Sequence, residues 1–397
     1  MKSTLAALAL SLATAFPAGA QDIPAPLVEC GGSFSSFVGR MKELAVAQGH
    51  DPATVNAFFA SARQDGATLN ADRGQGFFQK GFIEFSRALI SSGRLQNGRA
   101  NLQKYDSVFD RVEAEYGVSR GVLAAFWAFE TDYGAFQGNF NTLNSLMTLG
   151  HDCRRPGLFQ PQVLAALELY KHGDFSPTGT TGAWAGEIGM VQMLPEDIIE
   201  NGVDGDGDGH VRLKSSPADA LLSGAKMLRS LGWRANEPWL QEVVVPEDLD
   251  WSQTGSETSL PTSEWAARGV RAREGQLATN LPGSIILPEG RKGPAFIAYP
   301  NFNVYFEWNQ SFTYVLTAAY FANRLEGAQV YNAGNPEPGL SGGQMKQLQQ
   351  KLQARGYDVG GVDGILGAGT RAAVQAVQME LGLPADAWPT HALLSRL

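Results

Sequence analysis

The sequence predicts a mainly α-helical protein, with a small antiparallel β-subdomain inserted in a large N-terminal domain and a small three-helix-type domain at the C-terminal end. Three observations carry this. Most of the first domain shows apolar residues at three- and four-residue spacing, the signature of helices packed on one face. Between about Glu257 and Glu307 the pattern changes to short β-prone runs broken by Pro and Gly. A Gly/Pro/Asn-rich stretch, Asn332 to Gly343, then reads as a linker (332–343) ahead of a second apolar-periodic segment at 344–397.

In chain order, helices are expected over Phe34 to Gln48, Pro52 to Arg63, Phe78 to Ser91, Gly98 to Tyr116 and Ser119 to Phe129. Strands are expected at Ser284 to Leu287, Phe296 to Tyr299 and Val304 to Glu307, the last leading into Trp308-Asn309. Ser311 reads as an N-cap for a helix to Leu325. In the tail, Met345, Leu348 and Leu352 mark one helix, and Gly361 to Gly364 a turn. A second helix is expected to start at a Thr370 cap, bury Val374, Val377 and Leu381, and stop at Gly382.

The first twenty residues read as a secretory signal, with Lys2, an apolar run from Leu5 to Phe16, and Ala18-Gly19-Ala20 as a cleavage site. That run is shorter than the roughly 20 residues a bilayer span needs, so no membrane anchor is expected. The mature chain should start near Gln21 as a soluble, exported, periplasmic monomer with a first domain at 21–331. A net charge of −9 without a basic stripe argues against nucleic-acid partners. The two cysteines, Cys30 and Cys153, are expected to form a disulfide in an oxidising compartment, worth roughly 2–4 kcal/mol.

Four segments bear on chemistry. Glu130 ends the run Val122 to Phe129, which is apolar on every side and therefore belongs to a buried helix. A carboxyl there is partly desolvated, which favours its protonated, acid form. On this segment alone, a Glu that caps the helix or forms an ion pair fits better. Gly182 to Pro195 is a glycine-rich loop in which Trp184 offers a stacking face and Gln192 a two-way amide. Asn301 to Tyr314 sets aromatics beside amides, a mixture that suits either a sugar or ordinary core packing. Asp204 to Gly209 matches the first half of an EF-hand loop: Asp204, Asp206 and Asp208 offer side-chain oxygens and His210 its carbonyl. Ser215 stands where the bidentate Glu belongs, so the loop is either a weak structural Ca²⁺ site or a polar turn without metal. No cofactor is required by anything in the chain.

Together the segments resemble the lytic murein transglycosylase B family. The resemblance rests on Glu130 to Gly134, Trp184 to Pro195, Asp204 to Gly209, Ser216 to Ala220, and Trp308-Asn309 through Tyr314, in order across residues 30–330. The tail, with Leu348-Gln349, Gly356-Tyr357, Val362 to Gly364 and Thr370 to Val374, resembles a helical peptidoglycan-binding module. The resemblance implies a lysozyme-like helical fold whose substrate partner is the peptidoglycan glycan strand. It makes Glu130 the catalytic acid and then base, and it places Gln192, Trp308, Asn309 and Tyr314 around the substrate. Two departures stand out: Ala183 replaces a serine usual in the family, and Glu187 a small residue. Glu187 or Asp132 as a second carboxylate would instead suit a hydrolytic muramidase. A non-catalytic wall-binding scaffold is the third reading.

Overall fold

The computed structural model describes residues 24–74 and 80–397, so the signal segment and the first residues of the helix expected from Phe78 lie outside it. The chain folds as two compact units, 24–74 with 97–230 and 80–96 with 231–397. Among the described residues, no helix is long and apolar enough to cross a membrane.

The first unit is helical. Its centre is the helix Arg120–Thr131, started by Ser119, whose hydroxyl accepts the Gly121 amide, and buried from Gly121 to Thr131. A helix apolar all round has to be enclosed by others. Pro217–Ser230 packs against it, Thr142–His151 and Pro156–His172 pack against each other, and Cys30–Cys153 joins the N-terminal segment to the turn between those two. The Gln160 amide reinforces that junction, bonding the backbone of Val28 and Gly150. The helix expected over Gly98 to Tyr116 is broken. Ser92–Lys104 and Asp106–Arg111 are separate, and a wider π-type turn, Val112–Tyr116, ends at left-handed Gly117.

The second unit holds a five-stranded antiparallel sheet in the order Leu260–Pro261, Pro282–Ile286, Phe296–Ala298, Leu240–Val244, Arg271–Ala272. Its central register pairs Ile285 with Ile297 and Leu240 with Ala298. The sheet starts earlier than the sequence suggests, at Leu240, and ends at Ala298. Val304 to Glu307, expected as a strand, lies inside the helix Pro300–Trp308. Pro300 is preorganised for the first helical turn, and burying Phe302, Val304 and Tyr305 outweighs their β preference. One set of sheet residues packs with Trp251, Trp265 and Tyr299. Phe296 instead meets Phe82, Tyr320 and Tyr331. The central strands are therefore buried on both faces, which is why their apolar residues run consecutively.

In the tail, Gly342–Ala354, Ala368–Glu380 and His391–Leu394 enclose Leu348, Leu352, Val374 and Val377. Ser341 and Gln344 form a capping box for the first of these helices. Thr370 is no cap. Its helix begins two residues earlier, and its buried hydroxyl donates to Val359 O at 3.2 Å. Nor does the stretch after Asn332 hang free, because its amides have partners: Asn332 N donates to Glu242 and Asn335 N to Lys292 O. The tail is fastened to the β-subdomain by Arg371 to Pro288 O, by Gln375 to Trp251 O and Thr254 O, and by the Arg291–Asp386 ion pair.

Candidate active site

Glu130 is 8% exposed, one residue before the end of its helix. Beyond it the chain turns through left-handed Asp132 (φ 50°), Tyr133 (φ 60°) and Gly134 (φ 86°). Two consecutive non-glycine residues in that region cost of order 1–3 kcal/mol each, so the surroundings must impose the turn. Thr131 supplies part of that hold. Its hydroxyl donates to Met190 O at 2.7 Å and accepts the Gly134 amide at 2.9 Å. The end of the Glu130 helix is thereby tied to the glycine-rich loop.

In that loop the Ile188 and Met193 backbones pair, enclosing a tight turn that holds Gln192 in the left-handed region (φ 55°). The Gln192 amide donates to Gly189 O at 2.7 Å, with a longer 3.5 Å contact to Gln137 O. Gln137 bridges further, donating to Gly134 O and to Lys214 O. Lys214 is half-buried, which lowers its ammonium pKa, and it donates to both oxygens of Thr181 at 2.6 Å. Glu130, Trp184 and Gln192 thus belong to one braced region of the first unit. Trp184 is 5% exposed, so its indole is packed into the protein and does not present the open stacking face the sequence suggests. The Cβ-sized space around its neighbours is already filled, with Leu146 against Gly186.

Glu187 lies in the same loop. Its Oε2 is buried without a hydrogen-bond partner, and burial pushes the carboxyl up to about 7. The amide of Glu187, the Arg155 charge and the amide of Ala185 work against this rise, and the Asp197 charge adds to it.

Trp308, Asn309 and Tyr314 belong to the second unit, at the junction of Pro300–Trp308 and Phe312–Leu325. Asn309 Oδ1 accepts the Ser311 amide at 2.8 Å, and Ser311 caps the following helix. Tyr314 is fully buried.

The acidic loop is ordered by its own amides. Asp204 accepts the amides of Gly207, Asp208 and Gly209, which hold its carboxyl below the usual range. The carboxylate part of the expected ligand set changes by one member. The carboxylates that converge, all within 4.8 Å, are Asp204, Asp206 and Asp219. Asp208 turns to Arg212 at 3.2 Å, and the His210 ring faces Asp174 at 2.7 Å, which leaves its carbonyl, the expected donor, unaffected. Asp219 is brought in by the helix Pro217–Ser230, outside the twelve-residue loop pattern. Its oxygens accept the amides of Gly205, Asp206 and Arg212 and the Ser216 hydroxyl. The Ser216-x-x-Asp219 spacing, a capping-box signature, was the sequence signal for this residue. Three carboxylates with hard oxygen donors fit a Ca²⁺-type cation.

Residues 33–323 match the family model described as the transglycosylase SLT domain, and residues 341–397 match a putative peptidoglycan binding domain. The chain belongs to the lytic murein transglycosylase B-like family. It is 25% identical over 237 residues to the membrane-bound lytic murein transglycosylase B of Escherichia coli (strain K12), covering 59% of this chain. That match spans 64% of the relative's length. Among solved structures it resembles SltB3 from Pseudomonas aeruginosa in complex with NAG-NAM-pentapeptide. The two are 36% identical with a TM-score of 0.84, over 92% of this chain and all of that one. SltB1 from Pseudomonas aeruginosa is 25% identical with a TM-score of 0.63, over 74% of this chain and 99% of that one. Within the SLT domain, Gln137 and Lys214 are bracing residues that sequence reasoning missed, because lone Gln and Lys residues carry no motif.

Proposed function

We propose that the protein is a lytic transglycosylase that cleaves the β-1,4 bond between N-acetylmuramic acid and N-acetylglucosamine in peptidoglycan strands. Glu130 protonates the glycosidic oxygen as the bond to C1 breaks. The resulting carboxylate then takes the proton of the muramic C6 hydroxyl, whose oxygen closes onto C1. The product carries a 1,6-anhydro end, and no water is consumed. One carboxyl performs both steps, unlike the usual glycosidase pair. The observation that carries this reading is Glu130 itself, buried at the end of an apolar helix and tied through Thr131 to the loop that holds Gln192. Its setting in an SLT domain resembling SltB3, solved with NAG-NAM-pentapeptide and with NAG-anhNAM-pentapeptide, supports the same chemistry.

A hydrolytic muramidase needs an ionised second carboxylate. Burial holds Glu187 protonated up to about 7, which counts against it in that role. Glu130→Gln should lower cleavage of purified sacculi by roughly 100- to 10,000-fold. Mass spectrometry of the wild-type digest should find 1,6-anhydro muramic ends; reducing ends in their place would overturn the transglycosylase reading.

The reading extends to location and metal. The protein acts as an exported periplasmic enzyme, supported by the signal pattern at its N-terminus. Cys30 is engaged with Cys153, which counts against a lipid anchor at that thiol. The tail holds the enzyme on its substrate, a role supported by its match to peptidoglycan binding domains. Asp204, Asp206 and Asp219 hold a structural Ca²⁺ that steadies the loop and takes no part in the reaction.

A further inference from the structure

Glu187 stands at the pivot of the loop that carries Trp184 and Gln192. Its carbonyl accepts the Ala183 amide at 3.0 Å. Directly after it, Ile188 and Met193 exchange two backbone bonds of 2.8 and 3.1 Å, closing the turn that holds Gln192. There is no slack at the pivot, since a Cβ on Gly182 would stand 1.9 Å from Glu187 O. Any displacement of residue 187 therefore moves both halves of the loop.

The side chain is ill placed to carry a charge. Its Oε2 is buried and has no hydrogen-bond partner, and although the amides of Glu187 and Ala185 favour the charged form, burial outweighs them. Two charges act on it: Arg155, just before Pro156–His172, and Asp197, in Pro195–Asn201. Arg155 is already committed to the buried Asp72 at 2.6 Å. Asp197 bears the same sign as an ionised Glu187 and is bound to the Leu194 amide at the far end of the loop. An ionised Glu187 thus carries a desolvation penalty that two backbone amides and a used cation only partly offset, whereas a neutral carboxyl avoids it.

We propose that Glu187, in its neutral form, is a positioning residue that holds the 182–194 loop in its binding shape, and that its ionisation loosens the loop and weakens glycan binding. The inference rests on reading this loop as part of the glycan site. It acts through Ala183 and the Ile188–Met193 pair, not through the reacting atoms. Burial sets the transition at about 7, up from the ordinary 4.5. The sign follows directly. Between those two values the folded protein keeps a proton that the unfolded chain has lost. Stability therefore falls as pH rises from 4.5 and levels off above about 7.

Affinity for NAG-NAM-pentapeptide should be measured in the full-length Glu130→Gln protein, so that neither turnover nor titration of Glu130 contributes. Affinity should fall about tenfold between pH 6 and pH 8, the loss expected when roughly one molecule in ten keeps the neutral carboxyl. Adding Glu187→Gln, which copies the neutral acid in shape and charge, should keep affinity at its pH 6 level throughout. The proposal is overturned by an equal fall in both proteins, or by no fall in either. No binding at any pH would sink the glycan-site reading instead. Melting temperature offers a ligand-free check: Glu187→Gln should melt higher than its parent at pH 8 and level with it at pH 5. Parallel curves would overturn the proposal.

Discussion

Two loops of the first unit, residues 182–194 and 204–219, are both rich in glycine and differ in what shapes them. The first is packed. Gly186 (φ 97°) has Leu146 Cδ2 at 2.3 Å from where a Cβ would go, so its form is dictated by neighbours from other elements. The tip of the second, Asp204 to Gly209, is largely exposed and self-bonded. Gly207 (φ 79°) has nothing within 4 Å, and Asp204 and Asp219 hold the turn through its amides. Packing fixes a loop against displacement and suits a region that must present Gln192 in one place. Side chain to backbone bonds fix only the local turn, which is enough for a structural site.

Three substitutions put that contrast to the test. Gly186→Ala should be the most damaging, combining overpacking with left-handed strain for a loss of about 3–4 kcal/mol and with it sacculus cleavage. A melting temperature like the wild type's would mean that the 182–194 loop yields, and the contrast would collapse. Asp219→Asn comes next. The new amide group faces donors that need acceptors, costing about 2–3 kcal/mol. It should also abolish any rise in melting temperature on adding Ca²⁺, and a rise that survives would move the cation away from Asp219. Gly207→Ala should cost only about 1 kcal/mol, from backbone strain alone, with cleavage intact. Denaturant titration would measure it, and a loss as large as that of Gly186→Ala would mean the exposed loop is packed as well.

What was legible in the chain was local. Ser311 announced its helix because a cap and the first turn are neighbours in sequence. The unbroken apolar run before Glu130 announced a buried helix, since no face of it is left for water. The misreadings arose where distant partners prevailed. Val304 to Glu307 has strand-forming residues, yet the helix Pro300–Trp308 buries them better. The strand Leu240–Val244 was missed because its partner, Phe296–Ala298, lies far along the chain.

The same division runs through the site. The sequence by itself determined that Glu130 ends a buried helix, that Gln192 sits in a glycine-rich turn, and that Asp204 opens an acidic loop. Each of these depends on contacts a few residues long. Tertiary structure decided that Thr131 ties the Glu130 helix to the loop, that Asp219 joins Asp204 and Asp206, and that the Glu187 carboxyl loses its water. These facts depend on which elements meet in space. Desolvation and convergence of charge have no period in sequence, so only the packed chain reveals them.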